Sequence, residues 1–536
     1  MGGMLGFPEW ILFLAIAGLL VFQLLIPPIV GLADNGDYPR VLGPVGLEST
    51  AEGYAERYGS YVNRRYRTVP RTGKYFMYSS ELMLAETAVQ FDRLITDDDE
   101  LDLVVLGAVH LTCYLFGIYL ILLATQTFSL PGRVVTGFAV LSVGTDVAYV
   151  AVLNSFYQEA AGLVFLTILI GISLVAIRAE RPSRWHLSTF FVCAALFVGA
   201  KAQYYLLVLP LLVSPLFLLR RPDLKTSRSL VIALAVALLL FAGFLFAHLP
   251  STLYAVNLWH TLFMNILVDS NSPERDLEEF GLDPDLTRFV GVGAFVPGVP
   301  LHEVTAQFGL SDVGRFYFQH PERFLEIGSR VAESTFVHRD PDYGNYTRAA
   351  GKPPRTLSRS VFGWSELEKR LFPRSLGFVG SFLAVFLFTS FWETSRAGLA
   401  RRGNPAAVFC LVVAMMTISQ FAIVAAFEGT VDVVKHLYMF QLLFDVCLIA
   451  TVVWLLGGLG TLLRYRSQGI PSAAEPPPEG HPRGWARPPP SRVLRTLRAC
   501  VNVGSPWHIV NPRSTLGSVG AVDNECVESD RRRPAS

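Results

Sequence analysis

The chain has 536 residues, of which 51% are hydrophobic and only 17% charged, where an average soluble protein carries about 25% charged residues. The formal net charge is +1, so no global field draws nucleic acid, and a length that would otherwise suggest several soluble domains is taken up by apolar runs long enough to cross a bilayer. The six cysteines show neither metal-ligand spacing nor a paired framework: Cys113, Cys193, Cys410 and Cys447 fall in apolar runs, Cys500 and Cys526 in a polar tail.

A spanning helix needs about 20 apolar residues. In chain order the stretches that qualify, about ten by that criterion, are 9–30, 102–126, 133–152, 158–177, 185–200, 202–219, 229–248, 374–393, 405–427 and 435–463. The expected fold class is an all-α integral membrane protein. The first stretch lacks the basic flank of a cleaved leader, and its apolar core exceeds the roughly 7–15 residues usual there, so it reads as an uncleaved anchor. The pair 185–200 and 202–219 is split by Lys201 and reads equally as one long bent element. Two large loops separate the spans, 31–101 and 250–373. Within them, 75–95 mixes apolar and charged residues and predicts a helix along the membrane surface, and 252–268 predicts the same or a partial span. From 467 to 536 the chain is rich in Pro, Ser and Arg, a composition that cannot bury a core. It is expected to be a disordered cytoplasmic tail behind a transmembrane module over 1–466.

Orientation follows from the basic residues of the short loops. Arg178, Arg181 and Arg184 form one set, Arg220, Arg221, Lys225 and Arg228 a second, Arg396, Arg401 and Arg402 a third, and Arg464 and Arg466 a fourth. With ten spans all four sets fall on one side, hence the cytoplasm. Both large loops then face outward, with the short links 153–158 and 428–434, and both termini are cytoplasmic.

Ionisable groups within lipid are costly and mark cavities or sites. His110, Asp146 and Asp445 lie well inside predicted spans, all in the outer half, as do Gln23 and Gln420. A transporter would place such groups at the midplane on broken helices of related halves. The bias to one side suggests a polar cavity opening outward; the plainer alternative is that each group satisfies a neighbour in the bundle.

Four constellations sit at outward ends. In DNGDYPR (34–40), Asp34 and Asp37 flank an Asn-Gly turn and are candidates for a general base or metal ligands; an isolated pair so spaced is more often a solvated turn. In NSFYQE (154–159), Glu159 opens a helix, where a carboxylate also suits the helix dipole. In AKAQYY (200–205), Lys201 is a cation between apolar runs, able to bind phosphate or merely to snorkel. In EGTVDVVKHLYMF (428–440), Lys435 and His436 at a helix start make a plausible anion site, with Asp432 one turn before His436; a surface ion pair is the alternative.

With these segments in place, NGDYPRV, NSFYQE, AKAQ, DSNSPERDLEEFGLDP (269–284), HPERF (320–324) and VDVVKHLYMFQLLFD (431–445), the chain resembles the bacterial GT-C glycosyltransferases. Among those it is most similar to the WsfD-like hexose transferases of surface-glycan assembly. The resemblance implies a GT-C-like bundle, a polyprenyl-phosphate-linked sugar donor and a glycan or lipid-linked acceptor. It also implies an active site facing outward from the plasma membrane and an inverting transfer. It places a catalytic carboxylate on the first outward loop, at Asp37 or Asp34, and a second acidic site at Glu159. Lys435, His436 and Lys201 would hold the donor phosphate. The family writes its acidic motif as two adjacent acids, whereas DNGD has two residues between, so a divalent metal stays open. The main rival is a transporter or flippase of a lipid-linked glycan.

Overall fold

The computed structural model describes residues 4–74, 76–96, 98–179, 182–220, 227–399, 404–429 and 432–467. The predicted tail from 468 onward lies outside the described residues, as do Arg181, Arg221, Lys225, Arg401 and Arg402.

Among the described residues, 8 helices are long and apolar enough to cross a membrane: Phe7–Leu24, Leu103–Thr125, Gln158–Arg178, Ala202–Arg220, Arg228–Ala247, Leu376–Arg396, Pro405–Glu428 and Tyr438–Gly457. Each falls on a predicted stretch. The predicted span 133–152 is broken: Leu130–Gly144 and Val147–Leu153 meet at 52° and count as a ninth if taken as one. The break has a local cause. The Thr145 hydroxyl bonds back to Leu141 O, and Asp146 leaves the helical conformation to cap the next piece through Ala148 N. The predicted span 185–200 becomes Arg184–Val198, a helix of 15 residues. At 1.5 Å per residue it is about 22 Å long, shorter than a hydrocarbon core of about 30 Å, yet it leads from the Arg178 end back to Lys201 beside Glu159, so the chain still crosses the bundle here. The last span begins at Tyr438, so Lys435 and His436 ride on a separate single turn, Val433–His436.

The helices Leu103–Thr125 and Gln158–Arg178 cross where both have glycine. A Cβ on Gly171 would stand 2.6 Å from Leu120 Cβ, and one on Gly117 would stand 2.8 Å from Ile168 N. Small residues are what allow helix backbones to approach this closely in lipid. At one end of the bundle Arg178 donates to Leu123 O at 2.8 Å, Gln126 donates to Met4 O at 3.2 Å, and Glu9 pairs with Arg133. At the opposite end Asn154 donates to both Leu24 O and Val30 O, at 2.6 and 2.7 Å. All the large loops gather at that second end.

There the chain folds into short elements. The surface helix expected at 75–95 is Ser80–Ile95, with Leu84, Ala85, Ala88 and Val89 buried and Met83, Phe91, Leu94 and Ile95 exposed. The segment 252–268 is helical as Ser251–Trp259 and continues in wider turns over His260–Ile266. A three-stranded antiparallel sheet, Leu47–Ser49, Arg65–Thr68 and Glu100–Asp102, was not expected; strands of three or four residues carry no readable alternation. The first large loop is stitched to the second: Gly31 N donates to Asn345 O and Ala33 N to Gly344 O, both at 3.0 Å, and the buried Asn345 amide donates to Gly31 O at 2.8 Å.

Candidate active site at the loop-bearing end

The DNGD turn divides labour between its acids. Asp34 is buried, and its Oδ1 accepts from Gly36 N at 2.7 Å and Tyr38 N at 3.2 Å. Gly36 has φ +105, a conformation glycine adopts without strain. Burial pushes the Asp34 carboxyl up to about 6, against the pull of those two N–H groups. Asp34 therefore builds the turn that leads into the short helix Pro39–Val45.

Asp37 points the other way. Its Oδ2 lies 2.5 Å from Lys435 Nζ and its Oδ1 lies 3.0 Å from Arg40. Burial alone would raise its carboxyl, but Arg40 and Lys435 outweigh that and hold it below the usual carboxylate range. Lys435 is buried too; Asp37, Glu159 and Asp432 keep it charged against that burial. Its Nζ also sits 5.4 Å from the Tyr157 ring centroid, a cation–π contact. Asp432, at φ +46, orients the turn by accepting from Asn35 at 3.0 Å and from the Tyr343 hydroxyl at 2.9 Å.

A second pair lies alongside. Glu159 Oε1 is 2.8 Å from Lys201 Nζ, which is 3.5 Å from His436 Nδ1. His436 Nε2 faces Glu428 at 3.4 Å. Burial, and then the Lys201 and Lys435 charges, push His436 well below its ordinary value. The residue read from sequence as part of a cationic pair is thus a neutral imidazole, because two lysines already occupy its neighbourhood. The six residues Asp34, Asp37, Glu159, Lys201, Lys435 and His436 share one end of the bundle.

Beside them is a cavity. It is lined by Tyr157, Glu159 and Lys435 and by His338, Arg339, Asp340, Tyr343 and Asn345 of the second large loop. Val147, Ala148, Ala151 and Val152, from the second piece of the broken span, supply an apolar part of the lining. His110, Asp146 and Asp445, expected in a polar cavity, are not among its lining residues. Each is fully buried and works as a cross-tie. His110 bonds Leu153 O at 2.8 Å and Glu81 at 3.0 Å. Asp146 accepts from Ser365 N and Oγ at 2.8 and 2.9 Å. Asp445 accepts from Tyr149 at 2.7 Å and Trp364 at 2.9 Å. The bundle takes up these groups because an unpaired polar atom in lipid costs more than any helix contact returns.

Sequence reasoning missed Arg40, Glu428, Tyr157 and the 338–345 segment. Arg40, Glu428 and Tyr157 stand inside segments already singled out. The last had no signal beyond turn residues and charge in a long loop.

The acids do not suit a divalent metal. Asp34 Oδ1 serves backbone N–H groups, and both Asp37 oxygens face cations that a metal would have to displace. Among the described residues no group of three or more His, Cys, Asp and Glu side chains is arranged to hold one.

Residues 6–470 match the family described as the YfdI N-terminal transmembrane domain. The chain belongs to that family. The YfdI-type match takes in every candidate spanning helix and both large loops described above. No curated protein matches the chain. Among solved structures, it is similar to the archaeal oligosaccharyltransferase AglB from Archaeoglobus fulgidus, in complex with an inhibitory peptide and a dolichol-phosphate. Identity is 12% and the TM-score 0.37, over 88% of this chain and 52% of that one. The chain spans about half the length of AglB, and a superposition this loose transfers neither residues nor activity.

Proposed function

We propose that the chain is a GT-C-type membrane glycosyltransferase, of the WsfD-like kind it resembles. It moves a hexose from a polyprenyl-phosphate donor to a glycan or lipid-linked acceptor at the outer face of the plasma membrane. One observation carries the reading. Lys435, Lys201 and Arg40, each paired with an acid, cluster about Asp37, and Lys435 lines a cavity together with the apolar Val147, Ala148, Ala151 and Val152. A charged head on a hydrocarbon chain fits that combination.

In this reading the donor phosphate takes over Lys435 and Arg40 from Asp37. The acceptor oxygen attacks the anomeric carbon, and the lipid phosphate leaves with the electron pair of the broken bond. Fixed cations stabilise that charge, and such stabilisation is often what lowers the barrier most. Lys201, with Glu159 behind it, reinforces the same patch. Asp34 and Asp37 are the acids the resemblance offers as base. Asp34 is engaged in its turn, and Asp37 is a weak base while two cations hold it, since a good base titrates near the working pH. We assign Asp37 to aiming Lys435 and Arg40. No metal enters the scheme.

The test is a proteoliposome assay with a panel of radiolabelled polyprenyl-phosphate hexoses. Transfer of label to acceptor supports the reading. Label that crosses the bilayer still on its lipid would instead establish a flippase.

A further inference from the structure

The cavity wall carries two carboxylates, Glu159 and Asp340. Glu159 is held by Lys201 at 2.8 Å. Asp340 is in no ion pair among the described residues. Its Oδ1 accepts from Asp342 N at 2.8 Å, closing a local turn, and its other oxygen takes no hydrogen bond among the described residues. The segment is rigidly held: Gly344 N donates to Gly59 O at 2.9 Å, Ala33 N donates to Gly344 O, and the Tyr343 hydroxyl donates to Asp432. Asp340 thus stands at a fixed place in the lining of the same cavity as Lys435, with one oxygen open among the described residues.

We propose that Asp340 is the proton acceptor of the transfer, taking the proton of the attacking hydroxyl on its open oxygen as the new glycosidic bond forms and the sugar–phosphate bond breaks. This rests on the glycosyltransferase reading and deepens it. Lys435 and Arg40 receive the leaving phosphate, and the acceptor alcohol lies against Asp340. The local field suits the task. Burial raises the Asp340 carboxyl above its ordinary value; the Asp342 N–H bond and Lys435 pull it down, and the Asp342 and Asp432 charges add to the rise. The other charged groups of the cavity are Arg339 on its own segment and Glu159 with its Lys201. A carboxylate so placed is a better base than Asp37, whose cations hold it low.

Asp340→Asn is the decisive variant, because asparagine keeps the Oδ1 acceptor for Asp342 N and hence the turn. In proteoliposomes with labelled polyprenyl-phosphate hexose and total membrane glycolipid as acceptor pool, it is expected to lower kcat/KM by about 10²–10⁴-fold. It should also flatten the acid limb of the pH profile, with Asp340→Glu restoring part of both. Polyprenyl monophosphate should protect the variant from heat at the same concentration as the parent, showing the phosphate seat intact. Asp37→Asn should keep the acid limb. A near-parental rate in Asp340→Asn, loss of monophosphate protection in it, or disappearance of the acid limb in Asp37→Asn instead would each overturn the assignment. A parent chain that transfers no label at all would fail the broader reading, a different and recognisable result.

Discussion

At the scale of single residues, the Asp37–Lys435 pair combines structure and readiness. Its side chains are 23% and 8% exposed, so removing the lysine leaves a half-buried carboxylate with Arg40 as its remaining cation. Lys435→Met is expected to destabilise by about 3 kcal/mol, as breaking buried pairs does, while Asp37→Asn with Lys435→Met should recover much of that loss. Thermal melts of the two variants and the parent check this. Donor use should fall in both Lys435 variants, since the phosphate loses its nearest cation. The pH behaviour has a definite sign. Asp37, held below the usual range, contributes stability that is present above ordinary carboxylate values and is lost only as strong acid reaches its lowered value. Glu368 does the reverse. Burial and the nearby Asp146 raise it from 4.5 to about 7, so the folded state binds the extra proton. Stability should fall as pH rises through that window, and a Glu368→Gln variant should melt with a flatter pH dependence across it. An unchanged slope in Glu368→Gln would refute this.

At the scale of elements, the glycine crossing and the Asn154 clasp locate the bundle's sensitive points. Gly171→Leu has no room against Leu120 and should abolish the folded monomer in detergent size-exclusion profiles. Asn154→Ala removes two donors from the carbonyls of Leu24 and Val30. At about 1–2 kcal/mol for each stranded acceptor, it should cost about 2–4 kcal/mol in a melt. These elements also show what sequence can disclose. The spans were legible because length and apolarity are sufficient signals. The break at Thr145–Asp146 was not, because a lone Asp in an apolar run reads as a cavity group when it is a helix cap. DNGD, NSFYQE, AKAQ and the Lys435 turn could be read as acids and bases at loop ends. Their pairing of Asp37 with Lys435 and Glu159 with Lys201 depends on tertiary contact and could not. Asp340 was invisible for the same reason: its neighbours in the cavity come from parts of the chain that share no local pattern with it.

At the scale of the whole molecule, the functional reading requires two ends with different fates. Single cysteines at Gly73 and Gly351, both exposed at the loop-bearing end, should react with a membrane-impermeant thiol reagent in intact cells. One at the exposed Arg184 should react only after permeabilisation. Labelling of Gly73 and Gly351 from opposite sides would be incompatible with a shared site. The same experiment measures whether the basic loops keep to the cytoplasm.

The contact between Asp37 and Lys435 joins residues 398 apart in the chain. Insertion proceeds from the amino end, so Asp37 emerges long before its lysine is synthesised. Through most of biogenesis the first loop therefore carries an acid with only its neighbour Arg40 to pair with, and the phosphate seat does not exist. A ribosome-stalled or truncated chain ending before residue 435 would be membrane-integrated yet unable to engage its carrier lipid. Assembly of the last helix would then act as the commissioning step, delaying any encounter with activated sugar until the protein is whole.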